Sequence, residues 1–213
     1  MKTCIYFAEI GGFPSGQPGL LLGRGFTKAG FWRNLPLPEG AAGLAVDDLF
    51  PPNPRGLTAA RQALSAWEGL IVMDFERALH PGLAALVRAL AGKRVILPPA
   101  YAALPHAAVL VGPWQGGCPL PRWLAARRSR YGALVLDAAP LRCRVLPGRP
   151  PEAWKGALPE EGFPCPGLGC LHRRQTDGSV LFWDTKQSLR QRLEAAGVPA
   201  IVLGSEWRAL PDG

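Results

Sequence analysis

The sequence lacks several features that mark well-defined protein classes. It has no run of about 20 apolar residues, the length that a membrane-spanning helix needs. No glycine motif of the form GxGxxG or GxxxxGK[ST] follows an apolar run, so the usual signature of a nucleotide-binding sheet is missing. Only 19% of the residues are charged and 48% are hydrophobic, which excludes a disordered chain. The 213 residues therefore fit one large globular domain.

The chain also lacks a recognisable targeting segment at its start. Met1-Lys2-Thr3 leads directly into the strand-like segment Cys4–Ile10, without the apolar region and cleavage site of a signal peptide. We therefore expect a cytoplasmic location and no membrane partner.

Cysteine is present in an odd number, which argues against a complete disulfide framework. Among the five cysteines, only Cys165 and Cys170 lie close together, with His172 behind them. The gap between these two cysteines is longer than in the usual zinc-binding pair, and no second pair completes a site. We predict free thiols in a loop, no metal site and no cofactor.

Positive charge is in excess, with a formal net charge of +8. Arginines are densest between residues 122 and 149. A basic excess can indicate nucleic acid, but neither zinc-finger spacing nor an aromatic RNA-binding signature accompanies it. We interpret the arginines as a solvated face, predict no nucleic-acid partner, and leave the role of this stretch open.

Glycine and proline are abundant, at 26 and 23 residues, and they separate short apolar runs from helical patterns. The runs begin near residues 5, 20, 44, 70, 94, 108, 133, 180 and 200, with a further extended stretch over 141–146. Helical spacing covers Leu57–Trp67, His80–Ala91, Pro121–Ser129 and Lys186–Ala196. Residues 147–169 are rich in both amino acids and predict a long excursion loop.

Continuous apolar runs that alternate with helices are typical of a parallel sheet covered on both faces. About eight strands fit either a (β/α)8 barrel or a doubly wound sheet, and the missing glycine motif disfavours the second. We predict a compact α/β fold, a (β/α)8 TIM-type barrel spanning residues 1–213. This length is small for such a barrel. Helices must therefore be short or missing in the N-terminal half, particularly between residues 11 and 43.

Polar side chains follow the apolar runs at their carboxyl-terminal ends, where the active site of a barrel lies. The acidic and amide residues of this set are Glu9, Asp47, Asp48, Asp74, Glu76, Gln115, Asp137 and Asp184. The aromatic residues at similar positions are Tyr101, Trp114, Trp183 and Trp207. Carboxylates beside aromatic faces suit carbohydrate binding and acid-catalysed cleavage of glycosidic bonds.

Asp74-Phe75-Glu76 is the most informative segment. Alternate residues of a strand point to the same side, so Asp74 and Glu76 share a face. Two carboxylates this close disfavour each other's ionisation, which raises one pKa towards the value that a general acid needs.

The segment Gly69–Glu76 resembles the second half of the DxxDxDxE motif of glycoside hydrolase family 18, the chitinase and endo-N-acetylglucosaminidase group. Residues 132–140 are similar to the seventh strand of that family, and residues 182–203 are similar to its final helix–strand unit. The resemblance implies a (β/α)8 barrel that cleaves N-acetylglucosamine-containing glycans by a substrate-assisted retaining mechanism. It implies Glu76 as the general acid and Asp74 as the group that positions the N-acetyl group of the substrate.

Two departures from the family pattern keep a second hypothesis open. Gly69 and Val72 replace the first two aspartates of the motif, and Trp114 and Gln115 stand near the place of the family's acetamide-binding tyrosine. The alternative is a catalytically inactive barrel that binds glycan or another small ligand at the same end. An unrelated barrel enzyme that holds a metal at Asp47, Asp48 and Asp74 is a third possibility.

Under the first two hypotheses the partner is a carbohydrate ligand. Beyond Asp74 and Glu76, the predicted substrate-binding residues are Glu9, Asp47, Asp48, Tyr101, Trp114, Gln115, Asp137 and Trp207.

Overall fold

The structure is a computed structural model that describes residues 4–9, 18–34, 40–114 and 118–212. Its strands are β1 (Ile5–Glu9), β2 (Gly19–Arg24), β3 (Ala41–Asp47), β4 (Leu70–Asp74), β5 (Val95–Leu97), β6 (Ala108–Val111), β7 (Leu134–Asp137), β8 (Arg142–Val145), β9 (Glu152–Ala153), β10 (Phe163–Cys165), β11 (Cys170–Arg174), β12 (Val180–Trp183) and β13 (Ala200–Leu203). Its α-helices are α1 (Pro54–Ser65), α2 (Pro81–Ala89), α3 (Leu120–Tyr131), α4 (Lys186–Ala196) and α5 (Gly204–Arg208), and a 3-10 helix spans Pro99–Tyr101.

Eight parallel strands close into a barrel in the order β1-β13-β7-β6-β5-β4-β3-β2. Helices α1 to α4 lie between successive strands from β3 onwards. The predicted compact TIM-type barrel is therefore confirmed. Between β1 and β3 the described residues contain no α-helix, and only the 3-10 turn connects β5 to β6.

The barrel interior is filled by small and branched side chains from every strand. They form one cluster of buried residues: Ala8, Leu20, Ala45, Leu70, Val72, Ile96, Ala108, Val135 and Ile201. Two further apolar clusters lie outside the barrel wall, one under α1 and α2 and the other under α3 and α4. The continuous apolar runs in the sequence follow from this arrangement, because both faces of each strand are buried.

The helices begin and end at residues whose chemistry explains the boundaries. Asn53 caps α1 by accepting a hydrogen bond from the Gly56 amide, and His80 caps α2 in the same way. Helix α4 ends at Ala196, and Gly197 directly after it adopts the left-handed conformation with φ of 64°. None of the helices in the described part of the chain has both the length and the apolar character that crossing a bilayer requires.

A second sheet is inserted between β7 and α4. It is antiparallel, with the strand order β10-β11-β12-β8-β9. Residues 147–169, predicted as a loop, contribute its two edge strands β9 and β10. The run Val180–Trp183 forms β12 of this inserted sheet, while the weaker run near residue 20 forms the second strand of the barrel.

Gly56 allows the loop after β2 to lie directly against α1. A Cβ atom at this position would lie only 2.0 Å from the carbonyl oxygen of Gly30. We expect Gly56→Ala to lower the free energy of unfolding by about 1–3 kcal/mol, because the steric clash outweighs the helix propensity that alanine adds.

Chemical denaturation measures this effect. Arg55→Ala, at an exposed position of the same helix, is the control and should change the stability by no more than about 0.5 kcal/mol. A Gly56→Ala protein as stable as the wild type would contradict the close contact.

Candidate functional site at the carboxyl-terminal mouth of the barrel

Three carboxylates form the next layer above the barrel interior. Ala45, Val72 and Val135 fill the interior, and side chains two residues further along a strand point the same way. Asp47, Asp74 and Asp137 occupy those positions at the ends of β3, β4 and β7. We call this carboxyl-terminal opening of the barrel the mouth.

Asp74 and Glu76 are both exposed at the mouth. Although part of the Asp74 side chain is exposed, the surrounding protein removes much of the water near its carboxyl group, and this desolvation is the largest cause that raises the pKa of Asp74. The nearby charges of Glu76, Asp47 and Asp48 raise it further. Asp74 is also the direct register partner of Asp47 on the adjacent strand. The structure therefore brings together the four acidic residues predicted at the ends of β3 and β4.

Asp137 approaches this group from the other side of the mouth. Burial, with the charges of Asp74 and Glu206, raises the pKa of Asp137 to about 6. Burial likewise raises the pKa of Glu206, which lies in α5 directly after β13. Glu206 is not among the residues predicted from the sequence, although it follows the apolar run of β13 just as the predicted carboxylates follow theirs.

Asp48 faces the opposite way from Asp47 and holds the backbone of the adjoining loop. It is buried, and its two carboxylate oxygens accept hydrogen bonds of 3.0 Å from the amides of Glu76 and Arg77. Asp48 thereby fixes the backbone position of Glu76 relative to β4. Each of its carboxylate oxygens has a hydrogen-bond donor from the protein.

Asp47 and Glu9 each lie beside an arginine that is not among the predicted site residues. Arg33 lies 3.6 Å from Asp47, and its guanidinium also donates to the carbonyls of Gly23 and Phe26. Arg208 binds both oxygens of Glu9, at 2.5 and 3.2 Å. Ion pairs across loops have no local sequence pattern, so neither arginine could be identified from spacing alone.

The predicted aromatic platforms are mostly buried. Tyr101 is fully buried, and its hydroxyl accepts a hydrogen bond from the His80 amide. Trp114 is buried, and its indole donates to the carbonyl of Cys118. Trp207 is half-buried, with its ring edge-on to Phe7 at a centroid distance of 5.4 Å. The predicted site residue Gln115 lies outside the described residues.

Trp183 and Asp184 do not stand at the end of a barrel strand, because β12, which ends at Trp183, belongs to the inserted sheet. Trp183 is fully buried. Asp184 is fully buried and forms a bidentate ion pair with Arg192 of α4, in which each carboxylate oxygen accepts one hydrogen bond. The expectation that Asp184 belongs with the barrel carboxylates is therefore wrong.

The chemistry available at the mouth is proton transfer and hydrogen bonding. Among the described residues, no three histidine, cysteine, aspartate or glutamate side chains are arranged to hold a metal ion. Cavities of about 620 and 510 Å³ lie beside α3 and beside α4, and neither is lined by Asp74 or Glu76. The described part of the mouth therefore presents acidic side chains, of which Asp74 and Glu76 are exposed.

Comparison of the chain with protein-family models, with curated proteins and with solved structures found no match.

The raised pKa of Asp137 predicts how stability depends on pH. Since the pKa in the folded protein is about 6 and the ordinary value is 3.8, the folded form binds this proton more tightly than the unfolded form. The contribution of Asp137 to stability should therefore fall as the pH rises from about 4 to about 6. We expect Asp137→Asn to flatten that part of the stability profile, measured by denaturation at a series of pH values.

Asp177 provides a control of opposite sign. Hydrogen bonds from Ser179 and the charge of Arg144 lower its pKa, so its contribution is lost as the pH falls below the ordinary aspartate range. Asp177→Asn should leave the slope between about pH 4 and 6 as in the wild type. If Asp137→Asn also leaves that slope unchanged, Asp137 does not carry the expected proton.

Proposed function

We propose that the protein is a glycoside hydrolase that cleaves N-acetylglucosamine-containing glycans at the mouth of the barrel. The observation that carries the proposal is the placement of Asp74 and Glu76. Both carboxylates are exposed at the end of β4, and their mutual repulsion contributes to the raised pKa of Asp74. In the described part of the chain, no hydrogen-bond or ion-pair partner engages the carboxylate of Glu76, which leaves it accessible to a substrate.

Glu76 acts as the general acid. It donates a proton to the leaving glycosidic oxygen while the acetamido oxygen of the substrate attacks the anomeric carbon, so no nucleophile from the protein is needed. Water then attacks the resulting oxazolinium ion, and the Glu76 carboxylate takes up the proton that this water loses. The configuration at the anomeric carbon is retained.

The surrounding carboxylates support this step. Asp74 accepts the hydrogen bond of the acetamido N–H and orients its oxygen. Asp137, with a pKa of about 6, carries a proton over part of the acidic range and thereby reduces the negative charge next to Asp74. Asp48 keeps the backbone of Glu76 in place through its two amide contacts.

The second candidate is a barrel that binds a glycan or another small ligand without turnover. The burial of Tyr101 and Trp114 favours it with a ligand other than a glycan, because buried rings offer no open face on which a sugar can stack. The two departures from the family motif favour it as well. For both candidate functions, the cytoplasmic location stays a prediction.

Turnover and binding distinguish the two candidates. We expect the wild-type protein to release the chromophore from a p-nitrophenyl N-acetylglucosaminide oligomer and to bind the corresponding chitooligosaccharide in calorimetry. Binding without release would support the inactive barrel. Absence of both would contradict the hydrolase and would also contradict glycan binding by the inactive barrel.

A further inference from the structure

Helix α3 carries four arginines and no acidic residue. They are Arg122, Arg127, Arg128 and Arg130. None of the four has an ion-pair partner among residues 4–9, 18–34, 40–114 and 118–212. Uncompensated guanidinium groups at this density attract anions.

Two of these arginines line a cavity of about 620 Å³ between α3 and the barrel wall. Arg127 and Arg130 stand on the helix side, and Gly112 and Pro113 close the side formed by the end of β6. No aspartate or glutamate is among the described residues that line it. The space is within the range of small-molecule sites in proteins.

An aromatic ring lies beside each of the two guanidinium groups. The guanidinium carbon of Arg127 lies 3.4 Å from the ring centroid of Trp123, and its Nη1 donates to the Trp123 carbonyl at 3.2 Å. Arg130 lies 5.1 Å from the ring centroid of Tyr131. A guanidinium stacked in this way keeps further N–H donors for a ligand and loses less conformational freedom when the ligand binds.

A purely structural role explains only part of this arrangement. Arg128 and Arg130 lie in the last turn of α3, where a positive charge stabilises the carbonyl end of the helix. Stabilisation of the helix end does not depend on the cavity. It therefore does not explain the position of Arg127 and Arg130 in the cavity lining, from which Arg122 and Arg128 are absent.

We propose that this cavity binds a phosphomonoester of a small molecule, with Arg127 and Arg130 as the phosphate-binding residues. Guanidinium groups bind phosphate through charge-assisted hydrogen bonds. The volume leaves room for an attached sugar besides the phosphate. The proposal does not depend on glycan hydrolysis, since neither arginine belongs to the mouth.

A pair of matched double variants tests the phosphate-binding residues. Arg127→Gln/Arg130→Gln and Arg122→Gln/Arg128→Gln remove the same charge from the same helix, but only the first pair lines the cavity. N-acetylglucosamine 6-phosphate is titrated into each full-length protein in a calorimeter, with inorganic phosphate and unphosphorylated N-acetylglucosamine as comparison ligands. We expect the dissociation constant for the phosphosugar to rise at least about 10-fold in the first variant and to stay near the wild-type value in the second.

Equal losses in both variants would overturn the proposal, because general electrostatic attraction would then explain the binding. Absence of phosphosugar binding to the wild-type protein would overturn it as well. A thymidine oligonucleotide tests the alternative that α3 binds a nucleic acid. If this probe binds more tightly than the phosphosugar and loses affinity equally in both variants, α3 is a nucleic-acid-binding surface and the proposal is overturned.

A second pair of variants leaves every arginine in place. Ala126 lines the cavity and is exposed, whereas the exposed neighbour Ala125 does not line it. Ala126→Glu should abolish phosphosugar binding by placing a carboxylate beside the guanidinium groups, while Ala125→Glu should retain it. Retention by both would contradict the assigned position of the phosphate.

Discussion

Glu76→Gln is expected to lower kcat/KM for the N-acetylglucosaminide oligomer by about 10² to 10⁴-fold, the range that a general acid contributes. Glutamine has nearly the same shape as glutamate, but it cannot release a proton to the leaving oxygen. Because Glu76 is exposed, the substitution should leave the fold intact. Binding of the unhydrolysed chitooligosaccharide should stay within a few-fold of the wild-type value.

Glu68→Gln is the matched control for this experiment. Glu68 lies just before β4, at the opposite end of the same strand, and its exposed carboxylate contacts Lys93 at 3.1 Å. Residues at the amino-terminal face of a barrel contribute to stability and not to catalysis, so we expect turnover to be unchanged. Equal turnover by the wild type and Glu76→Gln would contradict the role of Glu76, and an equal loss in Glu68→Gln would indicate an indirect effect.

The parity of side chains along a strand explains which parts of the site the sequence predicts well. Asp47 and Asp74 continue the inward series of Ala45 and Val72, and both reach the mouth. Asp48 has the opposite parity and holds the loop after β4 instead. Both Asp47 and Asp48 follow the apolar run of β3, so their place behind the run predicts the same role for them. The alternation of side chains along the strand separates the two roles.

The burial of Tyr101 and Trp114 could not be predicted in the same way. Both follow a short strand, as an aromatic residue at a barrel mouth would. Tyr101, however, lies in a 3-10 turn, its ring is fully buried in the core, and its hydroxyl contacts the His80 amide. Tertiary packing decides the direction of such a ring, and nothing in the local pattern reports it.

The barrel strands and α4 were predictable because each combines an apolar pattern with clear end signals. Lys186–Ala196 has the predicted bounds, with Thr185 before it and Gly197 after it. Strands β9 and β10 were missed because they are short edge strands. An edge strand tolerates Pro164, since an outward-facing position needs no N–H donor.

Asp184→Ala is expected to have the largest effect on stability, a loss of about 3–5 kcal/mol in the free energy of unfolding. Asp184 and Arg192 are joined by two hydrogen bonds of 2.6 Å, and their side chains are 0% and 6% exposed. The same carboxylate accepts the Leu141 amide and the Ser188 hydroxyl. The pair therefore connects α4 to the inserted sheet and to the segment after β7.

The cost arises because removal of the carboxylate leaves a buried cation without its counter-charge. The guanidinium carbon of Arg192 lies 4.9 Å from the ring centroid of Trp114, and a single aromatic face compensates a buried charge only in part. Arg192 also loses acceptors for two of its donors, while Leu141 and Ser188 each lose a partner.

Asp212→Ala is the control, since Asp212 forms an ion pair with Lys186 of the same helix at 2.7 Å but is 90% exposed. Its removal should cost less than about 1 kcal/mol, because water solvates both charges once they separate. Chemical denaturation measures both variants at equal protein concentration. An Asp184→Ala protein no less stable than Asp212→Ala would contradict the role of the buried pair.

The double variant Asp184→Ala/Arg192→Leu separates loss of the counter-charge from loss of packing. It removes the unpaired cation together with its partner, so we expect it to be more stable than Asp184→Ala alone, even though it also deletes the contact between Arg192 and Trp114. If the double variant is instead less stable than the single one, the Arg192 side chain stabilises the fold through its contact with Trp114 by more than its unpaired charge costs. That result would assign the contribution of Arg192 to its packing and not to the pairing of its charge with Asp184.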